Sequence, residues 1–352
     1  MDLNNLSRRD FLRLSGVSIA VSTLGPISGC LDMGETGISL AYQPPAIGQQ
    51  APYLVMINEN YPEEYEFGLN TTECTYGAEV VQNYLEGGID IGQAGEFPSL
   101  TAIKNNPDTT IIGNYMAGKQ ILALAVRADA DFGLEDLEGK TIALPLGSTA
   151  EWFIREVIKS KTDLTPEDVE FKNSDPQAAV ISLSQGTDDA AVLWHPWIER
   201  AEKEVGIETI SWGFDTDYYL FAPIFARNDY LEENEEEVQK YMDARVRAMK
   251  YTYNNIDQVA EWMSEAESGQ VEKDVAKRSL EIVLGRTEVT DENALQPWHS
   301  EASSILQRAI QFRREEVSPD FPEIDISDYI ESKYTENAID NEAPDLFGDI
   351  EF

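Results

Sequence analysis

The sequence predicts a layered α/β protein of two lobes. Three observations lead there. From Gly37 to about Ile210, short β-like runs alternate with helical runs across short connections, as in sheets covered by helices. From Leu231 to Gln311 the pattern changes to longer helices. Beyond an N-terminal export segment about 320 residues remain, more than one hydrophobic core usually organises.

The elements follow in order. Gly37 to Tyr42 alternates as a first strand and turns at Gln43-Pro44-Pro45. Ala51 to Asn58 reads as a helix, with Pro52 suited to its first turn. Phe67-Gly68-Leu69 begins a second strand. Tyr76 to Glu86 has helical spacing and ends at Gly87-Gly88. Ile89 to Gly92 is a short strand, Pro98 to Asn105 a helix, and Thr109 to Gly113 and Ile121 to Arg127 are strands. Leu134 to Lys140 turns into the strand Thr141 to Leu144, and a helix runs from Glu151 to about Lys159. Val169 to Phe171 is a strand, Asp175 to Gln185 a helix closed by Gly186, Asp189 to Leu193 a strand, Pro196 to Val205 a helix and Ile207 to Ile210 a strand. Val238 to Asn255, Ile256 to Met263, Lys273 to Leu284 and Ala302 to Arg313 carry apolar residues at helical spacing. The stretch from Asp325 to Phe352 is acidic and turn-rich, with a helix expected over Asp328 to Tyr334.

The first 29 residues read as an export signal. Arg8-Arg9 precedes an uncharged apolar run from Gly16 to Ile27, which closes on Ser28-Gly29-Cys30. That run is shorter than the roughly 20 apolar residues a spanning helix needs. The paired arginines point to the twin-arginine route, and Cys30 to a lipid-acceptor cysteine followed by a tether over 30–36. The expected location is the extracellular face of the cytoplasmic membrane, lipid-anchored.

Lys plus Arg total 26 against 65 Asp plus Glu, a formal charge of -39. The acidic residues are spread along the whole chain. Self-repulsion on this scale is screened at molar salt, where the Debye length is about 3 Å. We therefore expect a halophilic protein whose folded state weakens as salt falls. Nucleic-acid binding is excluded, because phosphate contact needs clustered Lys and Arg. The two cysteines are Cys30 and Cys74, and the two histidines are His195 and His299, far apart in sequence. No disulfide framework is expected once Cys30 carries lipid, and no metal or cofactor site is expected.

Three strand-to-helix junctions are suited to holding a ligand. Gly92 to Ser99 offers Gly95 for close backbone approach, the Ser99 hydroxyl and the free N–H groups of a helix start. Pro145 to Glu151 places Gly147, Ser148 and Thr149 where a helix begins, an anion cradle that needs no cation. An ordinary N-cap explains the same residues. Trp194-His195-Pro196-Trp197 offers an aromatic wall with one titratable donor, or plain core packing. Glu96 and Glu151 oppose an anion if they face inward, cap their helices if they do not, and suit an amine if the ligand is a zwitterion. Lys119 stands open as a hinge residue, a ligand contact or a solvated side chain. All three junctions follow strands, where open α/β sheets bind ligands.

Together these residues resemble the substrate-binding proteins of nitrate, sulfonate and taurine ABC importers, with a haloarchaeal-like charge. The resemblance runs from Gly37 to Ile310. It rests on Gly87-Gly88-Ile89-Asp90-Ile91-Gly92 followed by Gly95, Pro98 and Ser99; on Leu137-Glu138-Gly139-Lys140-Thr141-Ile142-Ala143; on Gly147 to Ala150; and on Gly186 to Ala190 leading to Trp194, Pro196 and Trp197. It implies a periplasmic-binding-protein-like fold of type II, with a hinge and an interlobe cleft. The expected lobe 1 is discontinuous, 37–127 and 213–324, lobe 2 is 128–212, and 325–352 is an acidic extension. It also implies that Gln43, Gly95, Glu96, Ser99, Gly147, Ser148, Thr149, Trp194 and His195 border the ligand. The expected partners are a small organic anion or zwitterion, sulfonate- or taurine-like, and an ABC permease with its ATPase. The protein is expected to be a monomer. A thiamine-pyrimidine-like heteroaromatic, nitrate and bicarbonate are the alternative ligands. No Gly-x-Ser-x-Gly elbow and no His-Glu-x-x-His motif is present, so an enzyme is not expected.

Overall fold

The structure is a computed structural model that describes residues 37–44, 46–266 and 271–352. The expected signal segment, Cys30 and the expected tether lie outside the described residues, as does Pro45.

Two five-stranded sheets organise these residues. The first has the order β2-β1-β3-β10-β4. Its strands are β1 (Ile38–Tyr42), β2 (Leu69–Glu73), β3 (Ile91–Gln93), β4 (Thr109–Gly118) and β10 (Leu220–Arg227). The second has the order β7-β6-β8-β5-β9, from β5 (Leu122–Arg127), β6 (Thr141–Leu144), β7 (Glu170–Asn173), β8 (Ala190–Trp194) and β9 (Ile207–Trp212). The sheets repeat one plan. In each, three strands run parallel (β1 with β2 and β3; β6 with β7 and β8), and one reversed strand (β10 or β5) pairs antiparallel on both sides. This is the two-lobed type II arrangement, with mixed sheets.

The chain crosses between the sheets twice, at residues 119–121 and 213–219. The crossings touch: a Cβ on Gly213 would meet the Lys119 carbonyl oxygen at 2.2 Å. Lys119 Nζ reaches the Thr216 carbonyl at 3.4 Å, so this lysine belongs to the crossing. The expected lobe boundary at 127/128 falls after β5. Strand pairing puts β5 wholly in the second sheet, because it lies between β8 and β9. Sheet membership therefore moves the crossing to 119–121.

Three elements differ from the sequence reading for physical reasons. The first helix starts at Ile47, not near Ala51, and holds Pro52 inside it. Proline at that position leaves the Gly48 carbonyl without its helical donor. The Arg245 guanidinium takes up that oxygen, Nη2 donating at 3.3 Å. Strand β10 is absent from the sequence reading because it is buried along almost its whole length and shows no alternation. It also contains Pro223, accommodated at an irregularity of its ladder with β4. The stretch 325–352 packs on the first lobe. Its helix Lys333–Glu342 lies on Glu235–Asn254, Thr335 Oγ1 donates to the Ile112 carbonyl at 2.7 Å, and Ile330 bridges Ile111. No helix among the described residues is long and apolar enough to cross a membrane.

Candidate functional site

The carboxyl ends of β1, β3, β6 and β8 open onto one cleft between the sheets. It is lined from the first lobe by Gln43, Ala46, Tyr76, Gly77, Gly95, Pro98, Tyr115, Met116 and Leu220. From the crossing and the second lobe come Ile121, Leu122, Pro145, Ser148, Thr149, Ala150 and Trp194.

Four lining residues are N-caps: Ala46, Tyr76, Gly95 and Ser148, of the helices Ile47–Asn58, Gly77–Leu85, Glu96–Asn105 and Thr149–Lys161. The first N–H groups of a helix have no partner within it and carry its positive dipole end. Helix starts converging on one cleft therefore favour an anion. No Asp, Glu, Lys, Arg or His side chain lines this cleft among the described residues.

The second-lobe start is built by local bonds. Gly147 holds φ at 73°, a left-handed conformation that suits glycine. Ser148 Oγ accepts from the Ala150 N–H at 3.1 Å and donates to the Pro145 carbonyl at 2.6 Å, so the ordinary N-cap reading holds for Ser148. Thr149 Oγ1 lies buried on the cleft wall with no hydrogen-bond partner. A buried hydroxyl without a partner costs free energy that a ligand oxygen would recover. The lobes meet beside it: a Cβ on Gly95 would lie 2.0 Å from Thr149 Oγ1, so only glycine permits this approach.

Of the nine expected ligand residues, Gln43, Gly95, Ser148, Thr149 and Trp194 line the cleft. Four do not. Gly147 lies just outside it and donates its N–H to Glu151 Oε2 at 2.7 Å. Ser99 is buried, and its hydroxyl donates to the Ala94 and Gly95 carbonyls at 3.2 and 2.9 Å. Glu96 is fully buried behind Gly95 and accepts from the Tyr218 hydroxyl at 3.3 Å. Burial pushes its carboxyl up to about 8, against its backbone N–H and the nearby Tyr218 and Thr149 hydroxyls. Of those two hydroxyls only Tyr218 makes a hydrogen bond, and Glu96 Oε2 has none.

His195 is the main correction. Its Nε2 faces the Gln120 carbonyl at 2.8 Å and its Nδ1 faces Glu199 Oε1 at 2.6 Å. A carbonyl and a carboxylate only accept, so both ring nitrogens donate and the ring is an imidazolium. Burial alone would lower its pKa; the Glu199 charge and these hydrogen bonds outweigh that and raise it. Ser279 Oγ from the first lobe donates to Glu199 Oε2 at 2.7 Å. His195 thus ties the crossing to both lobes, and its neighbour Trp194 lines the cleft instead. Sequence reasoning also missed Tyr76, Tyr115, Met116 and Leu220. Tyr115 and Met116 lie within a long buried strand, where nothing local separates a cleft wall from a core. No group of His, Cys, Asp or Glu among the described residues is arranged to hold a metal ion.

A family model described as NMT1/THI5 like matches residues 48–259. The chain belongs to this family. Within reach of it are the taurine-binding periplasmic protein of Escherichia coli K12, 23% identical over 85% of this chain and 92% of that protein. A putative aliphatic sulfonates-binding protein of Bacillus subtilis is 22% identical over 92% of this chain and 97% of its own. Among solved structures, the periplasmic aliphatic sulphonate binding protein SsuA of E. coli superposes with a TM-score of 0.70 at 19% identity, covering 85% of this chain and 93% of that one. The alkanesulfonate-binding protein SsuA of Xanthomonas axonopodis pv. citri, bound to MOPS, gives 0.71 at 17%, covering 84% and 98%. Both share the two-lobed fold described above.

Proposed function

We propose that this protein is the extracytoplasmic solute-binding component of an ABC importer, capturing a small sulfonate- or taurine-like organic anion for a permease and its ATPase. The observation that carries this reading is the cleft. Helix starts from both lobes converge there, the Thr149 hydroxyl waits without a partner, and the remaining wall is apolar and aromatic. An acidic head meets N–H groups and hydroxyls, and an organic tail meets Tyr76, Tyr115, Met116 and Trp194. The names of the relatives agree with this chemistry, and binding without bond cleavage needs no nucleophile. The free energy of binding goes into lobe closure.

Titration calorimetry in molar salt tests it, with taurine, short alkanesulfonates, nitrate and an aminopyrimidine as ligands. A sulfonate should bind with Kd of about 1 μM or tighter. Replacing Ser148 and Thr149 together with alanine should weaken it by roughly 10–100-fold, as for the loss of hydrogen bonds to a charged group. Binding of the aminopyrimidine alone, or of none of the four, overturns the reading.

We also propose that the domain is exported by the twin-arginine route and tethered outside the membrane through Cys30. The support is the order Arg8-Arg9, apolar run, Ser28-Gly29-Cys30. Intact mass of the exported protein should show an N-terminal Cys30 carrying two acyl chains; an unmodified N-terminus elsewhere rejects the anchor.

A further inference from the structure

Arg245 is among the most deeply buried side chains of the molecule, at 1% exposure. It lies in the helix Glu235–Asn254 and makes no ion pair with any described residue, in a chain with 65 acidic side chains. Its Nη2 donates to the Gly48 carbonyl, and its Nε has no partner. The titratable groups it senses are Tyr241 and Tyr115, not a carboxylate. An unpaired buried charge is costly, and natural proteins retain one chiefly where something answers it.

Its position says what answers it. Gly48 packs against the Tyr115 carbonyl and the Met116 side chain, where an added Cβ would meet both at 3.1 Å. Those two residues line the cleft. Arg245 is thus one residue layer behind the cleft floor. A hydrogen-bonded chain connects the same places: Gln93 Nε2 donates to the Tyr241 hydroxyl, Gln49 Nε2 to the Gln93 carbonyl, and the Gln43 N–H to Gln49 Oε1, at 3.4, 3.4 and 2.6 Å. Gln43 is itself on the cleft.

We infer that Arg245 is the built-in counter-charge of the cleft, a positioning residue that selects anions through the floor without touching them. This rests on the anion-binding reading above. The guanidinium has no carboxylate partner among the described residues, so that the ligand's negative head becomes its counter-charge across Tyr115 and Gly48. A charge at a separation on the order of 10 Å, in an effective dielectric of about 20, favours an anion by roughly tenfold or a little more. It does nothing for a neutral ligand of the same shape. The arrangement also explains how a site with no lining cation holds an anion inside so acidic a protein.

The test compares ethanesulfonate with its neutral near-isostere ethyl methyl sulfone, titrated in molar salt into the full chain and its Arg245→Gln, Arg245→Met and Arg245→Lys variants. Thermal melts identify the variants that fold; Met keeps the apolar stem packed if Gln does not fold. The neutral variants should bind ethanesulfonate roughly tenfold more weakly, bind the sulfone as the parent does, and regain anion affinity when the residue is Lys. Equal weakening of both ligands assigns Arg245 a structural role and overturns the inference, as does unchanged ethanesulfonate affinity in a folded neutral variant. Those outcomes leave the transport reading intact. A parent chain that binds no sulfonate removes the reading and the inference together.

Discussion

Glu96 and Glu151 occupy the same place in the two lobes and meet opposite fates. Each stands in the first turn of a helix that starts at the cleft, and each is almost wholly buried. Glu151 is surrounded by donors. The Gly147 N–H reaches its Oε2, and Arg155 Nε and Nη2 grip its Oε1 at 3.0 and 2.9 Å. Glu96 has one hydroxyl donor at 3.3 Å and no cation. The first is a charged cap with its counter-ion. The second is held as a carboxylic acid near neutral pH by burial alone. What decides the charge of an acidic residue at a helix start is whether a partner is folded against it, more than the helix dipole both share.

The difference extends to the cleft. A charged Glu96 behind Gly95 would oppose an anion; a neutral one does not. Its burial depends on contacts between lobes, with Phe97 stacked on Trp152 at 5.7 Å and Trp152 edge-on to Tyr218 at 5.0 Å. Forming this closed arrangement therefore takes up a proton at pH values between the ordinary range of a carboxylic acid and about 8. Arg245, by contrast, keeps its charge in the interior, so the two lie near Tyr115 as a neutralised acid and a retained base.

The largest expected effect comes from removing the acid at Glu96. Its folded pKa is raised above the unfolded value, so its contribution is fully present below about pH 4.5 and is lost as pH rises toward 8. Stability of the parent should fall across that window. Glu96→Gln is neutral throughout, so thermal melts of the variant should match the parent near pH 4.5 and exceed it at pH 8, by on the order of 3 kcal/mol. His195 adds a slope of the same sign. Its raised folded pKa gives stability present below about pH 6.5 and lost as pH climbs through the folded value. A residual decline above pH 6.5 in Glu96→Gln belongs to that imidazolium. Parallel pH profiles for parent and variant would mean that Glu96 is ionised, and the contrast with Glu151 would collapse.

The sequence revealed one half of this comparison better than the other. Gly147-Ser148-Thr149 is local: its turn, its cap and its free hydroxyl are set within five residues and follow from residue type. Trp194 and the glycine at 95 were readable for the same reason. His195 was misplaced because adjacent side chains at a strand end leave on opposite faces, and its partners Gln120 and Glu199, with Ser279 bonded in turn to Glu199, come from three separate elements. Glu96 was recognised as troublesome but not as neutral, since its neutrality is a property of what covers it. The fold followed the same division. Strand–helix alternation marked both lobes, whereas β10, uniformly apolar and carrying Pro223, had no periodic signature, and Arg245 inside a mostly polar helical run carried no mark of its position 197 residues from Gly48.

A smaller effect is expected from making Glu151 resemble Glu96. Arg155→Met keeps the aliphatic stem against Phe171, where the guanidinium now packs over the ring, but removes the counter-ion. Glu151 would then be a buried carboxylate with the Gly147 N–H as its remaining bonded partner. Breaking a buried pair from one side costs about 3–5 kcal/mol where both members are fully enclosed. Arg155 is 17% exposed and the cap bond stays, so a loss of roughly 2 kcal/mol is expected at pH 8. The second substitution decides the cause. With the counter-ion gone, a buried carboxylate is left with one bonded partner, so Glu151→Gln added to Arg155→Met should recover much of the deficit. A deficit that the second substitution does not relieve would show that Arg155 acts by packing alone. In that case donors other than arginine would be what separates the two helix starts.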